Sequence, residues 1–557
     1  MRSKLINRQR ELRPRSTFSI PPTSLMWPGE RPAPNANNNI TATAWENDLG
    51  LGEIASALST DRRYAPFMRS TLAALLTDAD VIRWRQAVLA DFLRNPALVE
   101  RIEALLPRFV NLREGSALFG TKRRNLLLET SDRLSELELY TDVVRDLSAA
   151  LQAADLQSPA LTTVRDHLAG LLGDTNFQAL CDQLPDLRAP LEQINSLTIG
   201  VNLDTQLQPT SAVLLGINAH HIGEAASFLD KLIGTRTDDT QEVGLAPLHH
   251  TPKDPDERPL SPLFQDLDRL MTQVAQPIAR ALTRYVKTSS GAVMALENEL
   301  AFYVAAVRLI WRLEARGVTF CQPEILPLEA RQTQIDGLVN LHLALRQPEP
   351  PVPNAVRLDD DGRIGLVTGP NSGGKTTYLQ SVGLAQALFQ AGLFLPAHSA
   401  RLSPVDLILT HFPALETRQQ GRLAEEATRL RTLFTLAGRH TLVLLNETFA
   451  TTASGEAVYL AQDILAGLRA LGARALYATH LVELAAHLDE IEAAAPGDSR
   501  LFCLVAGVQL LDDGRAVSTY TITRGEPLGR SYAQEIARRH GISLAQILAL
   551  TDDTPLS

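Results

Sequence analysis

Gly369-Pro370-Asn371-Ser372-Gly373-Gly374-Lys375-Thr376 is the stretch on which the reading of this chain turns. It fits Gly-x-x-x-x-Gly-Lys-Ser/Thr and stands in the context that pattern requires. An apolar run, Ile364 to Thr368, precedes it as a strand. A helical pattern through Tyr378, Leu379, Val382 and Ala385 follows. Glycines let backbone N–H groups wrap an anion with no side chain in the way, and a helix N-terminus adds positive potential. Gly369, Pro370, Asn371, Ser372, Gly373, Gly374, Lys375, Thr376 and Thr377 are therefore the expected nucleotide-binding residues of a P-loop. Lys375 is expected to reach the β- and γ-phosphates of ATP, and the Thr376 hydroxyl to coordinate Mg2+.

A second apolar strand, Leu442 to Leu445, ends in Asn446-Glu447. Such strands usually end in Asp-Glu, a Mg2+ group followed by a group that handles the attacking water. Asn446 in the first place offers an amide oxygen without charge, so Mg2+ is expected to be held less tightly than by a carboxylate. Glu447 can orient or deprotonate water. A third strand, Ala475 to Ala478, leads through Thr479 to His480, which could sense the γ-phosphate. Alone, a histidine there reads as structural. The expected catalytic set is Glu447, Lys375 and His480, with Thr376 and Asn446 toward the metal.

Working outward, residues 346–557 alternate short apolar runs with helical patterns, as a mostly parallel sheet covered on both faces does. A hairpin follows, with Val508 and Leu510 on one side of Asp512-Asp513-Gly514 and Val517, Thr519 and Thr521 on the other. A helical segment from Ser531 to Leu550 comes last. Residues 46–345 read as mainly helical. One helix is capped by Thr77-Asp78, presents Val81, Trp84, Val88, Leu89 and Phe92, and stops near Asn95-Pro96. A β segment at about 196–218 alternates Leu197, Ile199, Val201 and Leu203, then Val213, Leu215 and Ile217 after a turn near Pro209. Residues 234–262 read as a mobile loop. Helical periodicity returns from Pro262, with a possible kink at Pro277 and a run through Leu296, Leu300, Val304, Val307 and Trp311. Residues 1–45 read as an irregular, basic and proline-rich lead-in, more a disordered tail than a DNA contact.

Of the 557 residues, 45% are hydrophobic and the net charge is -10, which leaves a whole-protein basic surface out. Any nucleic-acid site would be a local patch. Cys181, Cys321 and Cys503 lie far apart, a spacing for neither a disulfide frame nor a zinc site, and consistent with a reducing, cytoplasmic setting. No apolar run approaches a membrane span.

With these motifs set out, the chain resembles the MutS mismatch-repair ATPases. The loop GPNSGGKTTYLQSVG is similar to the MutS nucleotide loop. LVLLNETFATTASGEA resembles its second motif and dimer-contacting loop, to which Thr451, Thr452 and Ser454 correspond. ALYATHLVELA resembles its histidine strand, and GRSYAQEIARRHGIS the Ser-Tyr-Gly segment before its last helices. The resemblance covers roughly the last two hundred residues and is weaker over 46–340. It implies a helical core and lever region followed by an α/β, ABC-like ATPase domain. It also implies a homodimer that sandwiches each ATP between one subunit's loop and the other's signature helix. Gln420 to Glu426 is the candidate signature. It keeps Gly421 but has Leu423 and Ala424 where the family carries hydroxyls.

Two departures matter. No Phe-x-Glu, the family's mismatch-reading pattern, occurs in this sequence, and the helical pattern begins near residue 46. DNA contacts are therefore expected through phosphates and shape and not through a mismatch wedge. The family's adenine-stacking aromatic has no evident counterpart before the loop, where Pro351, Val352 and Pro353 stand. The leading expectation is a DNA-binding ATPase whose dimer drives a clamp on DNA in repair or recombination, with ATP and Mg2+ as cofactors. A repair-protein partner is conceivable. The alternative is an ATP-gated switch acting on a protein partner without DNA, which the acidic balance favours. An SMC-like chromosome ATPase fits less well, since there is no long heptad run and no Leu-Ser-Gly-Gly signature.

Overall fold

The structure is a computed structural model. It describes residues 23–29, 40–59, 61–117, 126–192, 196–203, 205–206, 209–218, 275–276, 278–279, 282, 290–413, 422–449, 454–511, 516–526, 543–544 and 546–547. The expected loop at 234–262, the kink at Pro277, Gln420, Gly421, Thr451, Thr452 and nearly all of the 531–550 segment fall outside that set.

Contacts divide the chain into two compact units. The first comprises Met1–Thr23, Arg101–Ala154 and Thr163–Glu297. Its helices Leu126–Gln152 and Thr175–Glu192 pack together through Leu134, Leu180 and Leu184. Burial of the Glu297 carboxylate is offset by Arg113, at 3.0 Å. The unit also carries the expected hairpin. Strand β1 (Ser196–Leu203) pairs antiparallel with β2 (Pro209–Asn218). The turn therefore lies before Pro209, which begins a strand, a place where its missing N–H costs no ladder bond.

The second unit comprises Ser24–Glu100, Asp155–Thr162 and Asn298–Ser557. It contains a four-stranded sheet formed by β3 (Glu324–Ile325), β4 (Thr333–Leu338), β5 (Asn354–Leu358) and β7 (Ser399–Leu402), ordered β3-β7-β4-β5. It also contains a six-stranded sheet formed by β6 (Ile364–Thr368), β8 (Ile408–His411), β9 (Leu442–Asn446), β10 (Arg474–Ala478), β11 (Leu501–Leu510) and β12 (Ala516–Arg524). The order of the larger sheet is β12-β11-β6-β10-β9-β8. Every pair in it is parallel except β11 with β12. Continuous burial of β6, β9 and β10 explains their apolar runs, because helices cover both faces of parallel strands. The helix Lys375–Gln390 packs on β9 and β10, and Ser454–Leu471 on β6. Parallel alignment sends the C-terminal ends of β6, β9 and β10 to one edge, and the three expected motifs lie there.

This second unit runs across residue 346: β4 pairs with β5 and β7 on its far side. It also takes in part of the expected lead-in. Ile40–Asp48 is a helix, and Thr410 donates to the Asp48 carboxylate at 2.6 Å. Leu25 and Met26 are buried, and the Glu299 carboxylate accepts from the Leu25 N–H (2.6 Å) and the Ser24 hydroxyl (2.7 Å). These tertiary anchors fix a segment that its proline-rich composition reads as irregular.

The helix Ala79–Arg94 begins at Asp78, whose carboxylate caps the Asp80 and Val81 N–H groups, as expected from sequence. Arg85 is buried on this helix, with Trp84 only half-buried. The Arg85 guanidinium donates to the Met26 carbonyl (3.0 Å) and the Ala391 carbonyl (3.4 Å) and lies 4.8 Å from the Trp27 ring centroid. Hydrogen bonding and stacking make this burial tolerable.

Candidate functional site

The loop 369–374 leaves β6 and enters the helix Lys375–Gln390. Gly369 has φ 131°, and a Cβ there would stand 2.8 Å from the Ala506 side chain on β11. Gly374, with φ 89°, precedes the first helical turn. Both positions need glycine, the first for conformation and space together. Ser372 is also left-handed, at φ 67°. At the opening of a helix this backbone can hold an anion on its N–H groups.

Lys375 is buried, and its ammonium donates to the carbonyls of Gly369 (2.9 Å) and Pro370 (3.0 Å). Burial lowers its pKa from the ordinary lysine value, and the Glu447 carboxylate opposes that shift. The Thr376 hydroxyl donates to the Asn446 side-chain oxygen at 3.0 Å. The two expected metal residues, seventy positions apart, thus meet. Both offer neutral, hard oxygens, a donor set that suits Mg2+ and leaves the balancing charge to phosphate and to Glu447.

Glu447 follows directly and adopts φ 50°; Phe449, two residues on, has φ 63°. Left-handed backbone costs a non-glycine residue roughly 1–2 kcal/mol. The turn is held against that cost. The Glu447 N–H donates to the Ala478 carbonyl (2.8 Å), and the Tyr477 hydroxyl donates to the Thr448 carbonyl (3.2 Å).

Lys375, Thr376 and Glu447 line one cavity of about 580 Å3, together with Ser372, Gly373, Gly374 and Thr377. Pro350, Pro351, Val352, Leu338 and Leu343 give it an apolar side. His480 stands exposed at the end of β10 and is not among the lining residues. Asn371 is exposed within the loop.

Two lining residues were not legible as site residues. Asn340 caps the helix Leu341–Arg346 through the Leu343 N–H (2.9 Å). Its amide donates to the Thr377 carbonyl (3.1 Å) and the Ser381 hydroxyl (2.9 Å). An asparagine before a short apolar run signals a cap, but not this second role. Tyr520 comes from β12, left-handed at φ 59° and 53% exposed, with its ring 3.5 Å from where a Gly374 Cβ would stand. Asn354 on β5 holds it by donating to the Tyr520 carbonyl (3.0 Å) and accepting from the Ile522 N–H (2.6 Å). An aromatic does reach the cavity, from far after the loop and not from before it.

The arrangement is a strand–glycine loop–helix in an α/β scaffold whose threonine meets the end of β9, the parallel strand beyond β10, with backbone and oxygen groups suited to an anion and a divalent cation. The family model described as MutS2 N-terminal domain matches residues 77–316, and that described as MutS domain V matches residues 365–547. The chain belongs to the MutS family. It is 35% identical to an endonuclease MutS2 of Thermus thermophilus over 196 residues, 34% of this chain and 25% of that protein. It is also 35% identical to DNA mismatch repair protein MutS 2 of Halobacterium salinarum over 194 residues, 34% of this chain and 21% of that one. Against a DNA mismatch repair protein MutS of a Synechococcus strain the identity is 25% over 526 residues, 87% of this chain and 56% of that protein. The chain thus spans little more than half of these relatives at most. Among the described residues, no helix is long and apolar enough to cross a membrane.

Proposed function

We propose that this chain is a MutS-like, DNA-binding ATPase that takes ATP and Mg2+ into the cavity beside Lys375. Binding and hydrolysis at a dimer interface would drive a clamp on DNA in repair or recombination. The observation that carries the reading is the Thr376–Asn446 hydrogen bond at 3.0 Å, with Lys375 and Glu447 on the same cavity. It joins the phosphate end and the water end of the reaction in one place.

In this reading the N–H groups of 371–375 and the Lys375 ammonium hold the phosphates. Thr376 and Asn446 hold the metal, which when bound supplies charge stabilisation to the phosphates. Glu447 orients water and accepts its proton as the water oxygen bonds to the γ-phosphorus and the bond to the β-phosphate oxygen breaks. The Tyr520 ring and the 350–352 segment give the adenine an apolar seat. Asn446 sets the metal's grip. Asn446→Asp is expected to lower the Mg2+ concentration for half-maximal turnover severalfold, because a carboxylate binds the ion's shell more strongly than an amide. An unshifted Mg2+ titration would show that residue 446 does not face the metal.

The family relationship supports action on DNA through a dimer. Sedimentation of Glu447→Gln with ATP and Mg2+ is expected to show more dimer than without nucleotide, because a site split between two subunits gains affinity only when both are present. Duplex or branched DNA is expected to change parent turnover in a salt-dependent way. Monomer in both states removes the sandwich. Turnover indifferent to every DNA, at low and high salt, moves the reading to a switch acting on a protein partner.

A further inference from the structure

The turn 447–449 has a third anchor, and it comes from neither β9 nor β10. The Phe449 N–H donates to the Glu426 carboxylate at 3.1 Å. Glu426 is half-buried on the helix Arg422–Leu436, within the segment Gln420 to Glu426 in which Leu423 and Ala424 stand in place of hydroxyls. Its neighbour Glu425 is exposed, so the two adjacent carboxylates have different surroundings. The acceptor meets the second of two left-handed residues, Glu447 (φ 50°) and Phe449 (φ 63°), where the backbone resists its own conformation. The two anchors from β10 fix residues 447 and 448 to the sheet. Only the Glu426 contact, among the three, reaches out to another helix.

We propose that Glu426 is a positioning residue for hydrolysis: it holds the 447–449 turn so that the Glu447 carboxylate faces the γ-phosphate end of the cavity, and it ties that turn to the Arg422–Leu436 helix. The proposal rests on the ATPase reading above. It gives the 420–426 segment a role that does not need the absent hydroxyls. Any displacement of this helix on nucleotide binding or dimer formation acts on the same turn, so the helix and Glu447 are set together. A charge-assisted acceptor suits this task, since it is stronger than a neutral one and directional.

The test compares steady-state turnover, ATP affinity by calorimetry and melting temperature for the parent, Glu426→Ala, Glu426→Leu and Glu426→Gln. Loss of the acceptor in Ala and Leu is expected to lower kcat about tenfold or more with ATP affinity within about twofold, the pattern of a group that acts on the chemical step. Gln, whose amide oxygen still accepts the Phe449 N–H, is expected to recover most of kcat. Leu fills the space if Ala destabilises the helix contact. Parent-like kcat in Ala or Leu overturns the proposal while parent turnover keeps the ATPase reading. Equal loss in Gln, Ala and Leu overturns it too, because the acceptor is then not what matters. A folded parent with no turnover overturns the ATPase reading and this proposal with it.

Discussion

Lys375→Ala is expected to raise the ATP dissociation constant at least a hundredfold, or about 2.7 kcal/mol. Lys375 is 4% exposed, and its ammonium is already aimed along the loop, at 2.9 and 3.0 Å from the Gly369 and Pro370 carbonyls. A phosphate arriving on the loop's N–H groups meets a cation that is desolvated in advance. Hydrogen bonds to charged groups contribute roughly 1.5–3 kcal/mol each, and they strengthen where water is excluded. Burial lowers the Lys375 pKa, and the Glu447 carboxylate restores part of it. Phosphate charge acts in the same sense as Glu447, so nucleotide binding favours the ammonium form. Alanine at the first helical position costs the helix nothing in propensity. Calorimetry with ATP and Mg2+, beside a melting curve that shows the variant folded, measures the effect. A dissociation constant within about threefold of the parent value (under 1 kcal/mol) would remove the phosphate-loop reading of residues 369–377.

What could be read in the sequence is what lies close together along the chain. The loop 369–376, its strand and its helix form one local pattern. The apolar runs that end at Asn446 and Ala478 are legible because parallel strands buried on both faces are apolar throughout. The meeting of Thr376 with Asn446 follows from those motifs only once β6, β10 and β9 lie side by side in that order. Tyr520 was not legible as a site residue, and Glu426, though inside the candidate signature, was not legible as an acceptor for the Phe449 N–H. Tyr520 reaches the cavity because β11 pairs parallel with β6 and then turns back as β12, a placement that no local pattern of residues 516–524 carries. The β3-β7-β4-β5 sheet was missed for the same reason. Its strands are short, from two to six residues, and β7 joins partners more than sixty positions away. Arg85 took the buried place that periodicity offers to Trp84, because carbonyls at Met26 and Ala391 await its guanidinium. His480, read as a possible γ-phosphate sensor from its place after a strand, lies exposed and outside the cavity lining.

Glu447→Gln is expected to keep ATP binding within about threefold and to slow hydrolysis by about 10²–10⁴, the range contributed by a positioned general base. The substitution is chosen for what it preserves. Glutamine has the size of glutamate and places the same backbone N–H toward the Ala478 carbonyl, 2.8 Å away in the parent. The left-handed turn and its anchors from Tyr477 and Glu426 stay in place. Removed are the negative charge and the ability to accept a proton from water. Two opposing effects on ATP affinity follow. Loss of a carboxylate near the phosphates relieves repulsion, and loss of its field at Lys375 leaves that ammonium less favoured. Their partial cancellation is the reason for expecting affinity to change little while the chemical step suffers. Single-turnover hydrolysis, with ATP binding measured separately, distinguishes the two. A rate within about threefold of the parent would assign the proton to another acceptor. Slow hydrolysis accompanied by a hundredfold loss of affinity would instead make Glu447 a binding residue, and the water end of the cavity would then have to be sought elsewhere along its lining.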